Sequence, residues 1–124
     1  MPRLFVDCDD TLVLWDKAET AEGVYRGDMY EINRMLAGNI NCWLDVHPEY
    51  ELVVWSGGGT NYALRWANLA FGSRRSFEIL PKDMRIPQGD DICIDDMHGE
   101  LKPRDNRVKV VGPDVRRCPI CNAE

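Results

Sequence analysis

The sequence predicts an α/β fold, a three-layer sandwich built on a mostly parallel central sheet. Three observations predict it. Short apolar runs, too short for helices, recur along the chain and stop at acidic or glycine-rich segments. Between several of them lie stretches whose apolar residues return every three or four positions, the period of a helix face. The 124 residues, 44% of them hydrophobic, amount to one ordinary domain that can bury a core without a disulfide framework.

In chain order, Leu4-Phe5-Val6 between Arg3 and Asp7 reads as a buried strand. Residues 12–28 mix apolar and charged side chains with Gly23 and Gly27, which predicts turns or a small hairpin. Ile32, Leu36, Ile40 and Leu44, with Met35 and Trp43 alongside, form one helical face, weakened by Gly38 and Asn39 and ended by His47-Pro48. Leu52-Val53-Val54-Trp55 is a second strand, stopped by Ser56 and three glycines. Thr60 is expected to cap a helix carrying Ala63, Leu64, Trp66, Ala67 and Ala70, which Gly72 ends. Phe77 to Leu80 is a short strand candidate, Ile92-Cys93-Ile94 a strand running into Asp95-Asp96, and Val108 to Val111 the last strand. Strands alternating with helices imply a parallel sheet covered on both faces, a Rossmann-like arrangement. The expected organisation is one core over residues 1–113 and a short tail over 114–124.

The net charge of −6 is unevenly spread. Residues 1–56 carry four Lys/Arg against eleven Asp/Glu, whereas residues 102–124 carry six against three. An acidic protein is a poor general nucleic-acid binder, an objection that the basic tail weakens. No apolar run approaches the ~18–20 residues that span a bilayer, and the opening Met1-Pro2-Arg3 does not read as a signal peptide. A cytoplasmic protein with reduced thiols is expected, since five cysteines cannot all pair within one chain.

Chemistry in parallel sheets gathers at the carboxyl ends of strands, and Asp7, Ser56 and Asp95 each follow a predicted strand. In Asp7-Cys8-Asp9-Asp10-Thr11-Leu12, Asp7 and Asp9 are two apart, a spacing that sends both side chains to one side of a strand end. Two such carboxylates repel unless a proton or cation intervenes, which suits a divalent metal with oxygen ligands, Mg²⁺ above all. The pair also suits a nucleophile beside a proton carrier. The same run also fits an acidic loop that caps a helix. Asp95-Asp96 repeats the theme of apolar strand and paired acid. Ser56-Gly57-Gly58-Gly59 offers a hydroxyl and unobstructed N–H groups, a phosphate cradle, although most glycine turns only reverse the chain. Lys82 is one of four lysines and by itself reads as a surface residue.

In order and context these positions resemble the haloacid dehalogenase superfamily of phosphohydrolases. Apolar strand plus Asp7-x-Asp9-x-Thr11-Leu12 resembles its first motif, strand plus Ser56 its second, Lys82 its third, and strand plus Asp95-Asp96 its fourth. The first motif often has Gly where this chain has Asp10. Receiver domains of response regulators share these residue types, but their phosphorylated aspartate lies on a middle strand and their lysine comes last. The resemblance implies that Asp7 attacks phosphorus to form an aspartyl phosphate and that Asp9 protonates the leaving oxygen and then deprotonates water. It implies Mg²⁺ held by the Asp7 carboxylate, the Asp9 carbonyl and Asp95, with Asp96 as ligand or neighbour. Ser56, Gly57, Gly58 and Lys82 would bind the phosphoryl oxygens.

Family members with a cap carry it in one of two places, and neither the 44 residues between Thr11 and Ser56 nor the 25 between Ser56 and Lys82 fit one. An open site implies a large substrate, a polynucleotide end or a phosphoprotein, or cover from a homo-oligomer. Arg65, Arg74, Arg75 and Arg85 are candidate contacts to an anionic substrate, or solvated surface. Trp15 and Tyr25 are candidates to stack on a base, or core residues. Cys118 and Cys121 have the spacing of a metal half-site without a second pair; Cys8 and Cys93 read as buried strand residues, and Cys42 as a helix residue near the core. Two other functions stay open: a phosphate- or protein-binding module without turnover, and a zinc-bridged interaction protein built on the tail cysteines.

Overall fold

A computed structural model of the chain describes residues 1–15 and 30–113. Its elements are β1 (Arg3–Asp7), β2 (Val13–Trp15), β3 (Tyr30–Ile32), α1 (Arg34–Val46), β4 (Glu51–Trp55), α2 (Thr60–Ala70), β5 (Glu78–Ile79), β6 (Ile92–Ile94) and β7 (Lys109–Val111). Five strands form one sheet in the order β5-β4-β1-β6-β7, every pairing parallel. β2 and β3 form a separate antiparallel pair, with Val13 opposite Ile32, so the small hairpin expected after β1 is present at its base. Its remainder, residues 16–29 with Tyr25, and the tail with Cys118 and Cys121 lie outside the described residues. Among the described residues no helix is long and apolar enough to cross a membrane.

Alternation along the strands splits the core in two. Leu4, Val6, Leu52, Val54, Ile92 and Ile94 join Leu36, Ile40 and Leu44 of α1 and Ala63, Trp66 and Ala67 of α2. The intervening Phe5, Val53, Trp55 and Cys93 pack with Val108, Leu80, Met84 and Ile86, Phe5 and Trp55 with ring centroids 4.4 Å apart. Both helices therefore cover one face. Their crossovers step the same way, β1 to β4 to β5, and right-handed crossovers in one direction place both helices on the same side.

Of the expected three-layer sandwich the described residues show the mostly parallel sheet and one helix layer. Among the described residues the second face carries no helix and is covered by the irregular segments 80–91 and 101–108. Pro81, Pro87, Gly89 and Pro103 fall in these connections and break helical hydrogen bonding.

Four local expectations are corrected. Ile32 belongs to β3, because Asn33 is the N-cap of α1, its side chain accepting from the Leu36 N–H at 3.1 Å. Met35 points to solvent and is 60% exposed. Thr60 is the first helical residue rather than a cap; Gly59, at φ +106°, holds the cap position of α2 with no side-chain bond. Cys42 is exposed on α1, not set near the core.

Candidate functional site

β1 lies in the middle of the sheet. The chain leaves it toward β4 and later re-enters on its other side as β6, so the carboxyl ends of β1 and β6 flank the point where the winding reverses and a crevice opens. The register sets what stands there. Asp7 pairs with Trp55, which puts Ser56 one residue beyond it. Val6 pairs with Ile94, which puts Asp95 level with Asp7.

One carboxylate oxygen from each of Asp7, Asp95 and Asp96 lies within 4.8 Å of the others. Asp7 and Asp95 are buried, 6% and 1% exposed. Lys82, from the irregular segment after β5, reaches between them, its Nζ 3.0 Å from Asp7 Oδ1 and 2.6 Å from Asp95 Oδ2. The other Asp95 oxygen accepts the Met97 N–H at 2.9 Å. Thr11 Oγ1 accepts the Asp96 N–H at 2.9 Å and lies 3.5 Å from one oxygen each of Asp7 and Asp96. Two carboxylates thus hold one ammonium, with the Asp96 carboxylate close beside them.

The charge balance shows in the proton affinities. Burial, followed by the charge of Asp95, pushes Asp7 up to about 7 against the opposing pull of Lys82. Burial and the neighbouring Asp95 also raise Asp96. For Lys82, burial alone would lower the value, but the hydrogen bonds and charges of Asp95 and Asp7 outweigh it and hold the ammonium above its ordinary range. Removing a proton from Lys82 is thus disfavoured, and adding one to Asp7 is favoured. The Lys82 shift follows from the carboxylates beside it, the Asp7 shift from burial first and the Asp95 charge second, and a divalent cation would relieve that charge. The donors are all hard oxygens, the set that such a cation takes, so the three carboxylates can hold one. Burial pushes the thiols of Cys8 and Cys93 up to about 12, so neither supplies a thiolate.

Asp9 stands apart from this cluster. Its carboxylate accepts a hydrogen bond from the Tyr62 hydroxyl in the first turn of α2. The loop carrying Asp9 is tightly held. The Thr11 and Val13 N–H groups donate to the Cys8 carbonyl at 3.1 and 2.9 Å, and Asn33 donates to the carbonyls of Thr11 and Leu12 at 3.1 and 2.8 Å. Asp10 takes φ +60°, a left-handed conformation that few residues besides glycine adopt readily.

Ser56 is buried, and its Oγ accepts the Gly58 N–H at 3.0 Å while its carbonyl accepts the Gly59 N–H at 3.1 Å. The Gly58 amide expected to face a phosphate is thus turned onto Ser56 itself, and Gly57 borders open space.

Three of the four arginines proposed as substrate contacts are engaged elsewhere. Arg75 holds α1 through Asn41 Oδ1 at 2.9 Å and an ion pair with Asp45. Arg85 pairs with Asp83 at 2.7 Å, and Arg65 lies over the Trp66 ring at 5.5 Å. Arg74 is exposed. Residue-type reasoning missed Tyr62 and Asn33. Asn33 left one signal, an amide just before a helical period; Tyr62, 53 residues from Asp9, left none. No protein-family model, no curated protein and no solved structure matches the chain, so its chemistry rests on these contacts.

Proposed function

We propose that the chain is a Mg²⁺-dependent phosphatase of the haloacid dehalogenase type, hydrolysing a phosphate monoester through an aspartyl phosphate on Asp7. The observation that carries this reading is the buried Asp7 carboxylate, bridged by Lys82 to Asp95 and placed with Asp96 at the carboxyl ends of the two strands beside the winding reversal. A nucleophile there must be ionised beside other anions, and Lys82 supplies the local positive charge. Asp7, Asp95 and Asp96 would hold Mg²⁺, whose chemistry when bound is charge compensation and alignment of the phosphoryl group.

In the proposed reaction the Asp7 carboxylate attacks phosphorus as the ester P–O bond breaks. Asp9 donates a proton to the leaving oxygen. The recharged Asp9 carboxylate then takes a proton from the water that hydrolyses the acyl phosphate, which returns Asp7. Lys82 and the Ser56 loop would steady the phosphoryl oxygens.

The reading includes an uncapped site and hence a large substrate, a polynucleotide end or a phosphoprotein, or cover by a second copy. The test is turnover of purified protein with Mg²⁺ against 3′- and 5′-phosphorylated oligonucleotides, nucleotides, sugar phosphates and phosphopeptides. Release of phosphate that chelation abolishes and Asp7→Asn removes is expected. Phosphate or phosphopeptide binding without turnover under any divalent metal would instead favour a binding module on the same fold.

A further inference from the structure

We infer that Tyr62 is a positioning residue for Asp9, holding one oxygen of that carboxylate and so fixing how the group is turned. The inference rests on the phosphatase reading above and adds a residue that the reading does not contain.

The Tyr62 hydroxyl donates to Asp9 Oδ1 across 53 residues of sequence. A carboxyl group has two oxygens, and one that already accepts a hydrogen bond is the poorer place for a proton. The Tyr62 bond therefore holds Oδ1 and leaves Oδ2 as the oxygen for proton transfer.

The donor itself is well anchored. Tyr62 lies in the first turn of α2, its ring edge-on to Trp66 with centroids 6.4 Å apart at 66°, and Trp66 is 5% exposed. A Cβ added at Gly58 would lie 3.4 Å from the Tyr62 ring, so the ring rests against the loop that presents Ser56. On the other side the Asp9 loop is tied down by the Cys8 carbonyl and by Asn33. The Tyr62–Asp9 contact thus joins the loop after β1, which carries the proposed proton carrier, to the first turn of α2, which packs on the Ser56 loop. Proton transfer depends on orientation to a fraction of an ångström. In the step itself the proton leaves the distal Asp9 oxygen for the leaving-group oxygen as the P–O bond breaks. The Tyr62 proton stays on the phenol.

A poorly acidic alkyl leaving group needs that proton and an aryl one barely does. The experiment compares wild type, Tyr62→Phe, Asp9→Asn and the double variant with Mg²⁺, on an alkyl phosphate and on nitrophenyl phosphate, by rapid quench and steady state. Tyr62→Phe keeps the ring that packs against Trp66. It is expected to slow phosphoenzyme formation about tenfold or more with the alkyl ester, a part of the ~10²–10⁴-fold worth of general acid catalysis, and far less with the aryl ester. KM should hold, and the substitution should add nothing further in the Asp9→Asn background. Should Tyr62→Phe melt without a cooperative transition, Tyr62→Leu, which also lacks a donor, takes its place with the same alkyl-selective loss expected.

Equal slowing of both esters, or a full effect in the Asp9→Asn background, would overturn the inference by showing a merely structural tyrosine. An active wild type matched by Tyr62→Phe overturns the inference alone. A wild type inert on every ester overturns the phosphatase reading and this inference with it.

Discussion

Asp10 sits at φ +60°, in the left-handed region, one residue after the proposed proton carrier. An L-residue there costs roughly 1–2 kcal/mol, less for Asp than for most, and the Asp10 charge also bears on Asp96. Asp10→Gly should therefore stabilise the protein, by about 0.5–1 kcal/mol once glycine's added chain entropy is subtracted; a lower melting temperature would refute the strain. Asp7 makes the opposite kind of test. It is buried between like charges, so Asp7→Asn is expected to stabilise metal-free protein at pH 7.5 by about 1–2 kcal/mol after Lys82 loses one partner, seen as a higher melting temperature. The same variant should lose roughly 10³-fold or more in turnover. Reduced stability in the metal-free variant would mean that the Lys82 ion pair outweighs the repulsion. The carboxylates of this cluster were legible in the sequence because each ends an apolar run. The Tyr62–Asp9 bond was not, because no local pattern links a helix's first turn to a loop 53 residues earlier.

At the scale of elements, legibility followed burial. β1, β4 and β6 are short runs buried on both faces, and such runs announce themselves. The start of α1 was misplaced because Ile32 carries the right period, while the cap at Asn33 decides where the helix begins. Among the described residues the second face carries no helix, as Pro81, Pro87 and Pro103 foreshadow, but apolar spacing alone does not say which face a segment will cover. The turn into α2 yields its own prediction. Gly59 has φ +106° and open space where a Cβ would stand, so Gly59→Ala meets a backbone cost and no steric clash. A loss of about 1–3 kcal/mol is expected, whereas Gly57→Ala, equally open and without the positive φ, should be near neutral. Equal melting temperatures for the two variants would show that the loop relaxes freely. If Gly59→Ala also weakened turnover beyond its effect on stability, the turn would be setting the position of Ser56 and Tyr62.

For the molecule as a whole, the acidic cluster links stability to pH. Asp7 has an ordinary value of 3.8 and a folded value of about 7. Its proton is held more tightly in the folded state, so the stability it contributes is full below about pH 4 and is lost as pH rises to 7. Metal-free protein should therefore lose stability across that window, and added Mg²⁺ should restore most at the upper end, where the carboxylates are ionised. At ~100 times the dissociation constant a native-state ligand adds about 2.7 kcal/mol. A Mg²⁺ effect on melting that is flat from pH 4 to 7.5, or absent, would place the ion elsewhere. The strand order carries a consequence for the chain as it emerges from the ribosome. β1 is synthesised first yet needs neighbours on both sides, and the second, β6, arrives only at residue 92. Until then a nascent chain can pair β1 with β4 and cover them with α1 and α2, while one edge of its central strand stays bare, a template for other chains. Docking of β6 seals that edge and brings Asp95 and Asp96 beside Asp7 in the same event. Protection from self-association and the crowding of negative charge thus arrive together, once β6 has emerged, and a chain truncated before residue 92 should aggregate through its β1 edge whatever metal is present.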